Sequence, residues 1–431
     1  MNTELEEEKK QSHPWVVFSI IAGCYFFVYF HRVSTSVIAP DLLETFDTNA
    51  TALGFMSSMY FYFYALEQPM VGYLSDRLGP RRVVGYWTML AGVATVLFGL
   101  APSIGWASVW RALIGFGVGG VYVPALKAFS QWFKARDFST MAGFLMAVGN
   151  LGGIVATTPL AWMAGNWGWR SPFFAIGAVT FGLAVAVLIW IKDFTPHDAD
   201  SDGKREASSE SGKNKAPTTI RILVSFRFWV LAVIFAGFLG AFMAFQGLWA
   251  TPYLVSVYGL DPVRASWLNM LIPVGFAVGA PVFGRVADRV FQNKVTMLIM
   301  MLAPKTAIWV IFTYGWHITG IPAMGFMLFL LGALTGGFTT GLWALVNETT
   351  AREILGSVSG FLNTAPFLGM AAMQVLTGWL LDRAGRGVEG AYPPEAFQAA
   401  FLSCLLVMAG CLVLCIGFRK QLSKPRPGAP F

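Results

Sequence analysis

The chain has 431 residues, of which 56% are hydrophobic and only 12% charged, with a formal net charge of +7. An ordinary soluble domain carries roughly 25% charged residues, so this composition cannot clothe a soluble surface and points to a chain that lives in a bilayer. The positive balance is not a nucleic-acid footprint: with both chain ends in the cytoplasm, about 23 of the 30 Lys and Arg fall on cytoplasmic segments, as the positive-inside rule requires.

In chain order, an acidic and polar leader from Met1 to His13 runs into the first apolar span without a small-residue cleavage site, so that span is expected to be retained. Twelve apolar runs are long enough to cross about 30 Å of hydrocarbon. They lie near residues 15–39, 51–73, 82–102, 107–129, 138–164, 170–191, 227–252, 264–284, 294–315, 318–345, 354–379 and 395–418. Between the sixth and seventh, a stretch rich in Ser, Lys, Asp and Glu has no periodicity and reads as a flexible linker. The expected division is a cytoplasmic tail at 1–14, a six-helix bundle at 15–191, a cytoplasmic linker at 192–226, a second bundle at 227–418 and a cytoplasmic tail at 419–431. The fold class that follows is an all-α membrane protein of twelve transmembrane helices in two pseudo-symmetric six-helix bundles. Cys24, Cys404, Cys411 and Cys415 all sit within apolar runs, where they behave as small hydrophobes and suggest neither a disulfide framework nor a metal site.

A repeat supports the duplication. Pro40 pairs with Pro252, Pro69 with Pro281 and Gly72 with Gly284, each 212 positions apart. The same register aligns the loop Gly72, Asp76, Arg77 and Arg82 with Gly284, Asp288, Arg289 and Lys294. A half-length repeat in an apolar chain is the mark of a duplicated carrier bundle. Gly72-x-x-x-Asp76-Arg77-x-Gly79-Pro80-Arg81-Arg82 resembles the signature loop between the second and third helices of the major facilitator superfamily. Arg111-x-x-x-Gly115-x-Gly117-x-Gly119-Gly120 is similar to that family's fourth-helix pattern. The resemblance implies alternating access without covalent chemistry, with Gly72, Asp76, Arg77, Gly79, Arg81, Arg82, Asp288 and Arg289 in the cytoplasmic gate, to which Lys127 is added by its depth near the cytoplasmic end of the fourth span. Gly149-Asn150-Leu151-Gly152-Gly153 departs from the Gly-Pro-x-x-Gly-Gly motif of the drug/proton antiporter branch, which disfavours drug efflux.

Charges at bilayer depth cost at least about 2.5 kcal/mol each, so each needs a reason. Through the repeat, Arg32 corresponds to Ala244, Glu67 to Gly279 and Lys305 to Val93, so the scaffold can be built without them. Arg32 shares a helical stripe with Tyr25, Tyr29 and Ser36, a stripe expected to face a central cavity. His31-Arg32 and the Val-Ser-Thr-Ser-Val that follows resemble the first-helix region of the anion:cation symporter branch, which implies an organic anion as cargo. A guanidinium suits that task because its planar fork holds a carboxylate, sulfonate or phosphate through two hydrogen bonds. Gln246, Asn269 and Asn363 are the candidate neutral contacts from the second bundle. Glu67 and His31 are the candidate proton-coupling groups, with Lys127 the expected partner of Glu67. Arg111 and Lys305 are the remaining intramembrane charges, assigned to helix packing, a proton relay or substrate contact.

No H-E-x-x-H, G-x-S-x-G or clustered metal ligands occur in the spans, so no enzymatic activity and no cofactor are expected. The expected function is secondary active transport of a small organic anion, coupled to a proton. Anion exchange, efflux of amphipathic compounds and a non-transporting membrane sensor are the alternatives. The partners are then a small anionic substrate, a coupling proton or counter-anion and the lipid bilayer, with no nucleic acid. The chain is expected to work as a monomer in a cell membrane, a bacterial inner membrane, with both termini cytoplasmic.

Overall fold

The computed structural model describes residues 14–134, 137–192, 225–289, 293–350, 352–385 and 392–423, with backbone only at 69, 139, 286–289 and 352–357. The described residues fold as helices. We number the twelve long helical runs α1 to α12. α1 is Pro14–Thr45, α2 Ala50–Leu78 and α3 Pro80–Gly99. α4 is Ile104–Trp132, interrupted at Gly120 and Val121. α5 comprises Phe138–Val155 and Thr158–Trp167, and α6 is Arg170–Trp190. α7 is Phe226–Tyr258, with one π-helical turn at Phe245–Trp249. α8 is Pro262–Arg289, α9 Lys294–Tyr314, α10 Ile321–Thr349, α11 Arg352–Ala384 and α12 Pro394–Gly417.

Local chemistry sets the ends of these helices. Asn49 caps α2 by accepting a 2.9 Å bond from the Ala52 amide, and Asn293 caps α9 by accepting one of 2.9 Å from Val295. α2 stops at Gly79, whose φ of 81° is open to glycine, and Pro80 starts α3 at once. Gly79, not Gly72, therefore makes the turn of the signature loop. Gly72 lies inside α2, and a Cβ added there would meet no atom within 4 Å.

Eleven of the twelve runs are long and apolar enough to cross a membrane. α2 is the less apolar twelfth, since it carries four Tyr, three Ser and, among its charges, Glu67. Exposed side chains such as Trp106, Trp162, Ile189, Trp229, Leu406 and Val413 face outward, where only lipid makes their exposure favourable. Most of the helices are longer than the apolar runs alone. α1, for instance, continues to Thr45, about one and a half turns past the expected end, where Trp169 donates a 3.0 Å bond to the Thr45 hydroxyl.

Packing follows the repeat. In the first half α2 lies on α4, α3 on α6 and α1 on α5; in the second α8 lies on α10, α9 on α12 and α7 on α11. The halves meet through α1 with α7, α2 with α11 and α5 with α8, pairings that a pseudo-twofold axis interconverts. The face away from the first residue of α1 is sealed by Asp382 at the end of α11. Its carboxylate accepts from the Ala50 and Thr51 amides of α2 at 2.9 and 2.7 Å, and from the hydroxyls of Thr51 and Tyr392. A carboxylate on the positive end of a helix is a favourable cap, here supplied across the two halves. The expected linker lies outside the described residues except at its ends. The expected C-terminal tail begins as a short helix, Arg419–Ser423, whose Leu422 carbonyl accepts from Arg227.

Candidate functional site

The stripe on α1 is seated by glycines on both flanks. A Cβ on Gly152 of α5 would stand 2.0 Å from the Phe26 carbonyl oxygen, and one on Gly149 would stand 2.8 Å from the Tyr25 ring. The Gly149–Gly153 run is thus the bed that lets α1 approach α5 backbone to backbone. On the other flank, Gly247 lies in the π-helical turn of α7, where a Cβ would come within 2.9 Å of the Arg32 carbonyl oxygen. Such turns rotate the side chains that follow and are frequent at functional sites. Here the turn carries Gln246.

Between the halves lies a cavity of about 170 Å³. The first half lines it with Tyr25, Tyr29, Arg32, Tyr64, Tyr122, Met146 and Asn150. The second half lines it with Gln246, Asn363, Thr339, Trp343 and a wall of Phe, Leu, Met and Pro side chains. Arg32 is half-buried, its guanidinium carbon 4.5 Å from the centre of the Tyr29 ring, 5.1 Å from Tyr64 and 5.3 Å from Phe367. Among the described residues no carboxylate lines this cavity or pairs with Arg32. The hydroxyls of Tyr25 and Tyr29 are directed at the Met146 sulfur at 3.5 and 3.9 Å, a weak acceptor that an oxyanion can replace. Tyr25 also stacks on Tyr122, with ring centres 5.4 Å apart. The result is a guanidinium held over aromatic faces, with hydroxyls beside it and its charge uncompensated. That arrangement can hold one anionic group.

Of the seven residues expected at the binding site, Arg32, Tyr25, Tyr29, Gln246 and Asn363 line this cavity. Ser36 and Asn269 do not. Ser36 bonds the Thr251 hydroxyl at 3.3 Å, and the Asn269 amide donates to Thr251 and to the Gln246 carbonyl at 3.4 Å, so both join α1, α7 and α8 above the cavity. Glu67 is buried but does not meet Lys127. The Trp87 indole donates to one of its oxygens at 2.8 Å, while the other lies against Gly119, where a Cβ would be 1.7 Å away. Lys127 pairs instead with Asp76 at 2.7 Å and donates to the Ser75 carbonyl at 2.9 Å. Lys127 lies beyond the break of α4 at Gly120 and Val121, and its pairing latches the signature carboxylate within the first half.

His31 points away from the cavity, its Nε2 3.3 Å from the Thr95 hydroxyl. Arg111 donates to the His31 carbonyl at 2.9 Å and lies over Tyr60, which ties α4 to α1. Arg81 donates to the Leu188 carbonyl of α6 at 2.9 Å, Arg77 lies 4.7 Å over Tyr73, and Arg82 is exposed. Lys305 donates to Thr335 at 2.8 Å and stands 3.5 Å from the Phe238 ring centre, behind the cavity wall. The side chains of Asp288 and Arg289 lie outside the described residues. Among the described residues no group of three His, Cys, Asp or Glu could hold a metal ion.

The cavity also uses residues that periodicity did not single out. Tyr64, Tyr122, Met146, Trp343 and Phe367 all line it, and Asp382 closes the far end. Tyr64 lies one turn before Glu67, and Tyr122 just after the double glycine of α4; those positions were the available signals.

The profile of the Major Facilitator Superfamily matches residues 21–365 and again 248–430. The chain belongs to this superfamily. A probable sulfoacetate transporter, SauU, of Cupriavidus necator is 27% identical over 394 residues, covering 86% of this chain and 88% of that protein. A hexuronate transporter of Bacillus subtilis is 25% identical over 422 residues, covering 92% and 94%. In structure, an inward-facing bacterial homolog of the human lysosomal transporter Spinster superposes with a TM-score of 0.76 at 16% identity, covering 96% of this chain and 99% of that one. The protein is therefore a multi-pass membrane transporter of this superfamily and not an enzyme, and relatives at 25–27% identity are named for sulfoacetate and hexuronate.

Proposed function

We propose that the protein carries a small organic anion across the cytoplasmic membrane by alternating access, with Arg32 as the charge clamp. The observation that carries this reading is a guanidinium in the central cavity with no carboxylate beside it among the described residues. An uncompensated cation at this depth is costly, and a bound anion is what offsets the cost. The relatives named for sulfoacetate and hexuronate transport support the same class of cargo. The Asp382 cap on α2 is a contact that must break when the face it seals opens, while Asp76 and Lys127 form a latch inside the first half.

We assign proton coupling to Glu67, the one fully buried carboxyl among the described residues, with His31 as the second candidate. An oxygen without a partner beside the Gly119 backbone makes proton gain or loss at Glu67 a change in the packing of α2 on α4. The working assembly is a monomer in a bacterial inner membrane with both termini cytoplasmic, a topology supported by the distribution of Lys and Arg. Proteoliposome uptake tests the reading. Accumulation of an anion driven by an inward proton gradient, and lost in Arg32→Gln, is the expected result. Counterflow without gradient-driven accumulation would favour anion exchange instead.

A further inference from the structure

The two walls of the cavity differ in chemistry, and this difference bears on what the anion is attached to. On the first-half side, Arg32 and the tyrosine hydroxyls form one compact polar end. On the facing side, Leu239, Phe242, Met243, Pro273, Phe276 and Met370 make most of the lining apolar. Several polar groups in the lining are already engaged. Asn150 donates to the Met146 carbonyl at 2.9 Å, and the Thr339 hydroxyl donates to the Thr335 carbonyl at 2.8 Å. Gln246 and Asn363 remain as the second-half amides in the lining.

Building on the anion reading, we propose that the cargo is a compact acid with one charged head and an apolar body, and not a polyhydroxylated sugar acid or sugar phosphate. The head sits on Arg32 and the body lies against the apolar wall. The size is suitable: an apolar cavity of about 150 Å³ takes up benzene, so about 170 Å³ accommodates one ring or a short branched chain beside the guanidinium. A hexuronate has similar bulk, but it presents hydroxyls around its whole ring. The two amides and the Trp343 indole of the facing side cannot partner them all, and each hydroxyl left facing Phe, Leu or Met loses its hydrogen bonds to water without replacement. An apolar pocket rejects a single added hydroxyl by about 100-fold at most, so several unpartnered hydroxyls are a substantial barrier.

The test measures binding to the purified full chain by calorimetry, using benzoate, benzenesulfonate, glucuronate, glucose 6-phosphate and the neutral isostere benzamide. The expected result is benzoate or benzenesulfonate binding at least tenfold tighter than either sugar derivative, with benzamide silent and all binding lost in Arg32→Gln. Glucuronate or glucose 6-phosphate binding as well as benzoate, in an Arg32-dependent way, would overturn the apolar-body inference and leave the anion clamp standing. Benzamide binding like benzoate, unchanged in Arg32→Gln, would sink the anion clamp itself, and silence of all five compounds would also overturn the inference. Leu239→Asn and Met243→Gln serve as a second arm, restricted to variants whose unliganded melting temperature matches the parent. They should narrow the benzoate-to-glucuronate ratio at least threefold, and an unchanged ratio in both would remove the wall from the account.

Discussion

The first half of the chain meets the cavity with Arg32 and four tyrosines, while the second half meets it mainly with apolar side chains and two amides. The same asymmetry recurs where α2 crosses α4 and α8 crosses α10. In the first crossing the Glu67 carboxyl fills the space beside Gly119. In the second, Gly279 takes the place equivalent to Glu67 and lies so close to α10 that a Cβ would be 2.3 Å from the Ala333 carbonyl oxygen. Both crossings are tight, so tight crossing belongs to the duplicated scaffold. In the cavity lining and at these two crossings the charges belong to the first half, and that is where the proposed binding and coupling chemistry is concentrated.

The largest break in this comparison is Glu67→Gln, which makes the first crossing uncharged like the second while keeping an acceptor for Trp87. Gradient-driven accumulation should vanish while ligand binding and melting temperature hold; full accumulation by the variant would move coupling elsewhere. Next comes Gly152→Ala, which sets a methyl against the Phe26 carbonyl. Overpacking of this kind costs about 1–3 kcal/mol, so a lower melting temperature and weaker anion binding should appear together. Gly72→Ala is its control, with no neighbour to meet and no expected change in melting temperature. Asp382→Asn removes the charge from the cap on α2 and should cost about 1–2 kcal/mol, read as faster proteolysis or labelling at the face it seals. The smallest effect is expected for Lys305→Met, which gives α9 an apolar side chain where the first half has Val93. Because no carboxylate among the described residues pairs with Lys305, melting should be unchanged or shifted up by about 1 kcal/mol, and a loss of transport would give this lysine a role in the cycle.

The twelve spans and Arg32 were legible in the sequence because they depend on apolar length, on the repeat and on the rarity of charge at depth. Ser36 was misplaced for a reason periodicity cannot see. It lies on the same stripe as Arg32, but one turn further along that stripe is covered by Thr251 of α7. Lys127 was assigned to Glu67 by depth, and depth alone does not separate that carboxylate from Asp76, with which it pairs. Glu67 found an indole N–H, a partner that a search for opposite charges does not consider. The Asp382 cap joins positions 332 residues apart in chain, beyond any local pattern.

The measurement that bears most directly on the central claim is ligand-induced thermal stabilisation of the parent and of Arg32→Gln, across carboxylates, sulfonates, phosphates, amino acids and cationic amphiphiles. A ligand at 100 times its Kd stabilises by about 2.7 kcal/mol, enough for a clear shift. Stabilisation by one class of anion, absent in Arg32→Gln, is the predicted result. Stabilisation by cations, or by anions equally in both proteins, would contradict the charge clamp.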